Sequence, residues 1–177
     1  YPSDAFQGSY AAQYAYNTLG KKKAAVIYVK SEWGEGIKKV FVEAFKQFGG
    51  EVALEEGFDQ THRDFKAQLT KVKAAAPDLL YFVGYTEASI PALKQAKQLG
   101  LRMQLLGADG WDDPKIWTEA GTAGDDALYT VPVAAKADEF KEKVKTKLGK
   151  EDITVCAPFA YDATKLLAGV FAKVGDA

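Results

Sequence analysis

The chain has 177 residues, 47% of them hydrophobic and 27% charged, with a formal net charge of −1. That composition suits a globular protein with one sizeable core and excludes a disordered chain. Lys and Arg are dispersed along the chain, so neither a nucleic-acid groove nor a polybasic membrane patch is indicated, and no apolar run approaches the roughly 20 residues that span a bilayer.

The chain opens on Tyr-Pro-Ser-Asp, without the charged and apolar regions of a signal peptide. Pro2-Ser3-Asp4 reads as a helix entry with Ser3 as N-cap, and the helix is expected to run to Leu19 with Gly20 as its C′ residue. Ala24–Val29 (AAVIYV) is an unbroken apolar run rich in β-branched and aromatic residues, the pattern of a strand buried on both faces. A polar turn follows, then Trp33, then Gly34-Glu35-Gly36 opening a helix to about Phe48. Ile37, Val40, Phe41, Ala44, Phe45 and Phe48 form its apolar stripe, and Gly49-Gly50 ends it. Glu51–Gly57 alternates and is more polar, as expected of a strand nearer the sheet edge.

A helix over 64–76 stops before Pro77, and Leu79–Val83 is a second fully apolar strand, followed by the turn Gly84-Tyr85-Thr86. Glu87–Leu99 reads as a helix with Pro91 in its first turn; Gln104–Gly107 is a short strand. Asp109, Trp111, Asp112 and Asp113 lie in the loop after it, Pro114 begins a short helix, and Ala127–Val131 is the last strand. Strands beginning near 24, 51, 79, 104 and 128 recur at the length of a short strand–helix unit. The expected fold is therefore α/β, a Rossmann-like parallel sheet of about five strands with helices on both faces. Residues 1–134 form this lobe. Residues 135–177 are a separate helical segment, with a charged amphipathic helix over 138–148 and a more apolar one over 158–174.

The chemistry is sparse. Gly34-x-Gly36 lacks the third glycine of a dinucleotide fingerprint, and Glu32 and Glu35 flank the turn, so the glycines are read as permitting a tight strand-to-helix turn. The aspartates of 109–113 do not have calcium-loop spacing, and Asp112 and Asp113 read as helix-entry acids. His62, the only histidine, has no nucleophile in view and reads as solvated. Cys156, the single cysteine, cannot form an internal disulfide and reads as a small buried hydrophobe. No catalytic set, metal site or cofactor is expected. What remains is positional: the strand-end loops present Trp33, Asp59, Tyr85, and Asp109 with Trp111 on one sheet edge. Each aromatic alone could seal a helix–strand joint. As a set they describe a pocket for a ligand with an apolar body and a cationic group.

PSDAFQG, VKSEWGEG, DFKAQLTKVKAAAPDLLYFVGY and LKQAKQLGLRMQLLGADGW, in that order, resemble the type I periplasmic solute-binding proteins of ABC transporters for branched-chain and related amino acids. The resemblance implies a two-lobed α/β protein that closes on ligand. This chain would supply the second lobe, plus helices that pack toward a first lobe missing from it. It implies that Trp33 stacks on the ligand, that Tyr85 contacts it and that Asp109 binds its α-ammonium. Asp4, Phe6 and Trp111 are placed on the cleft rim. Members for branched-chain ligands often carry Glu at the position of Asp109 and Tyr at that of Trp33. The ligand is therefore left open between branched-chain, aromatic and related amino acids. The implied partners are an ABC permease and the missing lobe, the implied location is periplasmic or extracytoplasmic, and the chain alone is expected to self-associate. The alternatives are a sensory ectodomain on the same fold and a small nucleotide- or flavin-binding Rossmann-type enzyme.

Overall fold

The computed structural model describes residues 3–150 and 153–175. The chain divides into two compact units, Pro2–Val131 and Pro132–Ala177.

The first unit begins with α1 (Asp4–Gln13), continued by a π-helical stretch, Tyr14–Thr18. Pro2 lies outside the described residues. Ser3 caps α1 as its sequence predicts, its hydroxyl accepting from the Phe6 N–H at 3.3 Å, and Gly20 takes a left-handed φ of 68°. Five strands follow: β1 (Lys23–Val29), β2 (Glu51–Phe58), β3 (Leu79–Val83), β4 (Gln104–Gly107) and β5 (Leu128–Tyr129). They form one parallel sheet in the order β2-β1-β3-β4-β5. β2 is an edge strand, as its polar alternation indicates, and its Glu55 and Glu56 pair with Lys38 at 3.3 Å and Lys71 at 2.8 Å. β5 keeps only two of the five residues expected of it.

Alternation along the strands divides the core between the two faces. Ala24, Val26, Leu79, Tyr81 and Leu106 pack under α1 and α2 (Glu32–Gln47). Ala25, Ile27, Leu80 and Phe82 pack under α3 (Lys66–Ala75), α4 (Thr86–Gln98) and α5 (Pro114–Ala120). Pro91 falls in the second turn of α4, one turn later than expected, where it removes the hydrogen bond to the Glu87 carbonyl. Because β1 lies between β2 and β3, the chain leaves β1 across one face and returns over the other. The strand order reverses at the β1/β3 boundary, and that is where open α/β sheets of this order hold ligands.

The second unit carries α6 (Ala137–Leu148) and α7 (Cys156–Val174). Phe140 and Tyr161 join them, ring centroids 5.3 Å apart. Leu166, Leu167, Val170 and Phe171 of α7 are exposed. Cys156 is also exposed, against its expected burial, because it opens α7 where the unit has no core to receive it. Among the described residues no helix is long and apolar enough to cross a membrane.

Candidate functional site

The turn after β1 sets the first side chain. Ser31 is the N-cap of α2, its hydroxyl accepting from the Gly34 N–H at 3.1 Å. Trp33 therefore sits inside the first helical turn, one step further on than the loop expected for it. Gly34 is required here, since a Cβ would lie 2.1 Å from the Val29 carbonyl oxygen. The close turn turns the indole toward the neighbouring strand end, where Tyr85 is the N-cap of α4. The two rings stack with centroids 4.6 Å apart and planes 23° from parallel. Trp33 is half-buried, while Tyr85 is 37% exposed. The pair straddles the β1/β3 boundary.

The loop after β4 closes on this pair. A Cβ at Gly110 would stand 2.7 Å from the Gly84 carbonyl and 3.2 Å from the Trp33 ring, so two glycine-containing turns and the indole share one small space. Asp109, one residue earlier, is half-buried beside them. Asp4, in the first turn of α1, has a carboxylate oxygen 3.8 Å from the open Cβ position of Gly36 on α2. Burial first, then the charges of Asp109 and Glu32, push the Asp4 carboxyl above its ordinary range. Three carboxylates thus share this edge with an aromatic pair, an environment that favours a cation.

Other residues of the expected set go elsewhere. Trp111, placed by its sequence position on the rim, is a core residue only 1% exposed. The turn of 3₁₀ helix over Asp109–Trp111 swings it back under the sheet, against Phe82 and Trp117 with centroids 6.2 and 6.0 Å away. The slot exists because of Gly107, where a Cβ would fall 2.1 Å from the indole. Phe6 is 62% exposed and stacks along α1 on Tyr10, 6.2 Å between centroids. Asp59 is taken up by Lys30 at 3.6 Å.

His62 is half-buried rather than solvated, edge-on to Phe65 at 5.0 Å and 3.2 Å from the Gln68 amide nitrogen. Asp112 accepts from the Tyr129 hydroxyl at 3.2 Å. Asp113 is the helix-entry acid its sequence indicates. It caps α5, accepting from the Thr86 hydroxyl at 2.7 Å and the Lys115 N–H at 2.9 Å. The Thr86 bond first, then that N–H and the Lys115 charge, hold its carboxyl below the ordinary 3.8. A lowered folded value stabilises the fold above 3.8 and is lost as pH falls through the lowered value. Asp113→Asn is therefore expected to be less stable than the parent chain at neutral pH, with the gap closing in urea melts as acidity passes through that window.

Sequence reasoning missed Glu32, whose charge acts on Asp4, and the hydrogen bonds from the Gln7 amide to Thr130.

A parallel α/β unit whose strand order reverses at a carboxyl edge belongs to the class of open α/β sheets that hold small molecules at that edge, and here the edge carries stacked aromatics and carboxylates. The chain belongs to the periplasmic binding protein family, whose model matches residues 1–177. It is 31% identical to a leucine-, isoleucine-, valine-, threonine- and alanine-binding protein of Pseudomonas aeruginosa, over 98% of this chain and 48% of that protein. It also superposes on a leucine binding protein of Thermotoga maritima with a TM-score of 0.87 at 30% identity, covering 96% of this chain and 50% of the other. A branched-chain amino acid transporter substrate binding protein of Streptococcus pneumoniae, solved with isoleucine, gives a TM-score of 0.81 at 28% identity, again over 96% and 50%. The chain therefore spans about half the length of these relatives.

Proposed function

We infer that this chain is the second lobe of an extracytoplasmic solute-binding protein that captures an amino acid for an ABC permease. The observation that carries the reading is the Trp33–Tyr85 stack at the β1/β3 reversal, with the Asp109 loop packed against it. Trp33 and Tyr85 receive the apolar body of the ligand, and Asp109 takes its α-ammonium. Asp4 lines the same edge. The opposite wall, and the grip on the ligand's carboxylate, come from the other lobe of a full-length protein. The uncovered apolar side chains of α7 support the reading that residues 135–177 pack toward that lobe. On this reading the chemistry is capture and release.

The test is titration of intrinsic tryptophan fluorescence in the full-length protein with L-leucine, L-isoleucine and L-phenylalanine. Of the three indoles in this chain, Trp111 is buried and the half-buried Trp117 packs on Trp111 and Tyr129, whereas the half-buried Trp33 stacks on Tyr85 at the candidate site, so binding is expected to alter emission through Trp33. Trp33→Ala is expected to abolish the response and weaken binding about tenfold, the scale of losing roughly 1.5 kcal/mol of apolar burial on the indole. A saturating response that survives the substitution with unchanged affinity would overturn the assignment.

A further inference from the structure

β3 and β4 run side by side as far as Phe82 and Gly107, the last pair in register. The groups that the proposed site draws from them lie beyond that point, Tyr85 after β3 and Asp109 after β4. Each strand end is fixed within itself. The Tyr85 carbonyl accepts from the Ala88 and Ser89 N–H groups at 3.0 Å and from the buried Ser89 hydroxyl at 2.9 Å. The Asp109 turn is closed by the Trp111 N–H on the Ala108 carbonyl and the Asp112 N–H on the Asp109 carbonyl, both at 3.0 Å. The two ends are joined by a charge-assisted bond, in which the Thr86 hydroxyl donates to the Asp113 carboxylate at 2.7 Å. As a donor, that hydroxyl satisfies none of the N–H groups that open α4. Asp113 in turn caps α5 through the Lys115 N–H at 2.9 Å. What the Thr86 bond adds is a tie between strand ends. The same two ends approach so closely that a Cβ at Gly110 would stand 2.7 Å from the Gly84 carbonyl.

We propose that Thr86 and Asp113 are positioning residues whose hydrogen bond fixes the spacing between the aromatic pair and the Asp109 carboxylate, so that the site selects ligands carrying an apolar body and an ammonium group together. The proposal rests on the reading of Tyr85 and Asp109 as ligand-binding groups. A ligand that touches both must find them at one spacing, and ordering slack loops on binding lowers affinity. A ligand that touches the aromatic pair alone has no such requirement. The closed turn and the buried Trp111 make the loop stiff, so its attachment at Asp113 is felt at Asp109.

The experiment is calorimetric titration of the full-length protein with paired probes, L-leucine with 4-methylpentanoate and L-phenylalanine with 3-phenylpropanoate. The second member of each pair lacks only the amine. Thr86→Val keeps the shape of the side chain and removes the hydroxyl. It is expected to weaken the preferred amino acid about tenfold and its amine-free counterpart less than about twofold. Thr86→Ser is expected to restore the parent affinity. In the Asp109→Ala background Thr86→Val should add less than about twofold, because the second point of attachment is gone. A merely structural role would weaken both members of a pair alike, and that result overturns the proposal. So does full additivity with Asp109→Ala, or a Thr86→Ser variant that behaves as Thr86→Val. Should Thr86→Val not fold, Thr86→Ala is judged by the same criteria. A parent that prefers neither amino acid to its counterpart overturns the reading of Asp109 and the proposal with it. A parent preference that Thr86→Val keeps overturns the proposal alone.

Discussion

Asp109→Ala in the full-length protein is expected to weaken amino-acid binding on the order of a hundredfold. Two costs add. The ligand's ammonium loses a charge-assisted hydrogen bond, about 1.5–3 kcal/mol, and is left in a site closed to water without its nearest counter-charge. Each 1.4 kcal/mol is tenfold in affinity, so a loss near 3 kcal/mol gives the stated factor. The loss should be confined to ligands that carry an ammonium group. For L-leucine against 4-methylpentanoate, the same skeleton without the amine, calorimetry should show the parent strongly preferring leucine and Asp109→Ala losing most of that preference. Equal affinity of the parent and Asp109→Ala for leucine would remove Asp109 from the site. Asp4 and Glu32 limit the loss, since they remain at the same edge and still favour a cation.

Trp111→Ala is expected to cost about 3–5 kcal/mol of folding stability, the range for deleting a large buried aromatic. The indole is 1% exposed, packs on Phe82 and Trp117, and fills the slot left open by Gly107. Gly107, the residue beneath it, has no side chain to fill that volume, so the loss should sit at the upper part of the range. Urea unfolding measures it. The outcome separates a core role from a cleft role, because a rim tryptophan would leave stability within about 0.5 kcal/mol and alter only binding. If folded Trp111→Ala can be prepared, its ligand affinity should fall less than that of Trp33→Ala.

Much of the layered α/β lobe is legible in the chain because its strands are uniform. Leu79–Val83 and Gln104–Gly107 match their expected bounds, and Lys23–Val29 extends its expected run by one residue. Strands apolar on both sides have only one place to go, the middle of a sheet covered by helices. Two helix entries are legible for a similar reason: Ser3 and Asp113 are short polar side chains one residue ahead of a helix, and each accepts a backbone N–H there, whereas Ser31, read only as part of a polar turn, caps a helix that begins at Glu32, two residues before the expected start. β5 is shorter than its composition indicates because only Leu128 and Tyr129 pair in register with β4, and beyond them only the Thr130 N–H still reaches the Gly107 carbonyl. Its end is set by the neighbouring strand, since β4 stops at Gly107.

The candidate site divides in the same way. Its strand-end loops and the aromatic and acidic residues in them can be read directly, because a carboxyl-end turn on a parallel sheet is the place for a ligand whatever the details. Which tryptophan faces outward could not be read. Trp33 and Trp111 both follow a strand, and both stand beside glycine and acid. Only packing tells them apart. Gly107 opens a slot beneath Trp111, whereas Gly34 and Gly110 bring Trp33 against Tyr85. Trp33 joins Tyr85 because the chain reverses between β1 and β3, and strand order is a property of the whole sheet that no local pattern encodes. The contact between Gln7 and Thr130 was out of reach for a related reason, since the two are far apart in the chain and meet only when the sheet closes. Local sequence determined the elements, their caps and the chemistry offered at one edge. Tertiary structure decided which of those side chains meet, because contact depends on strand order and on the space that glycines leave between elements.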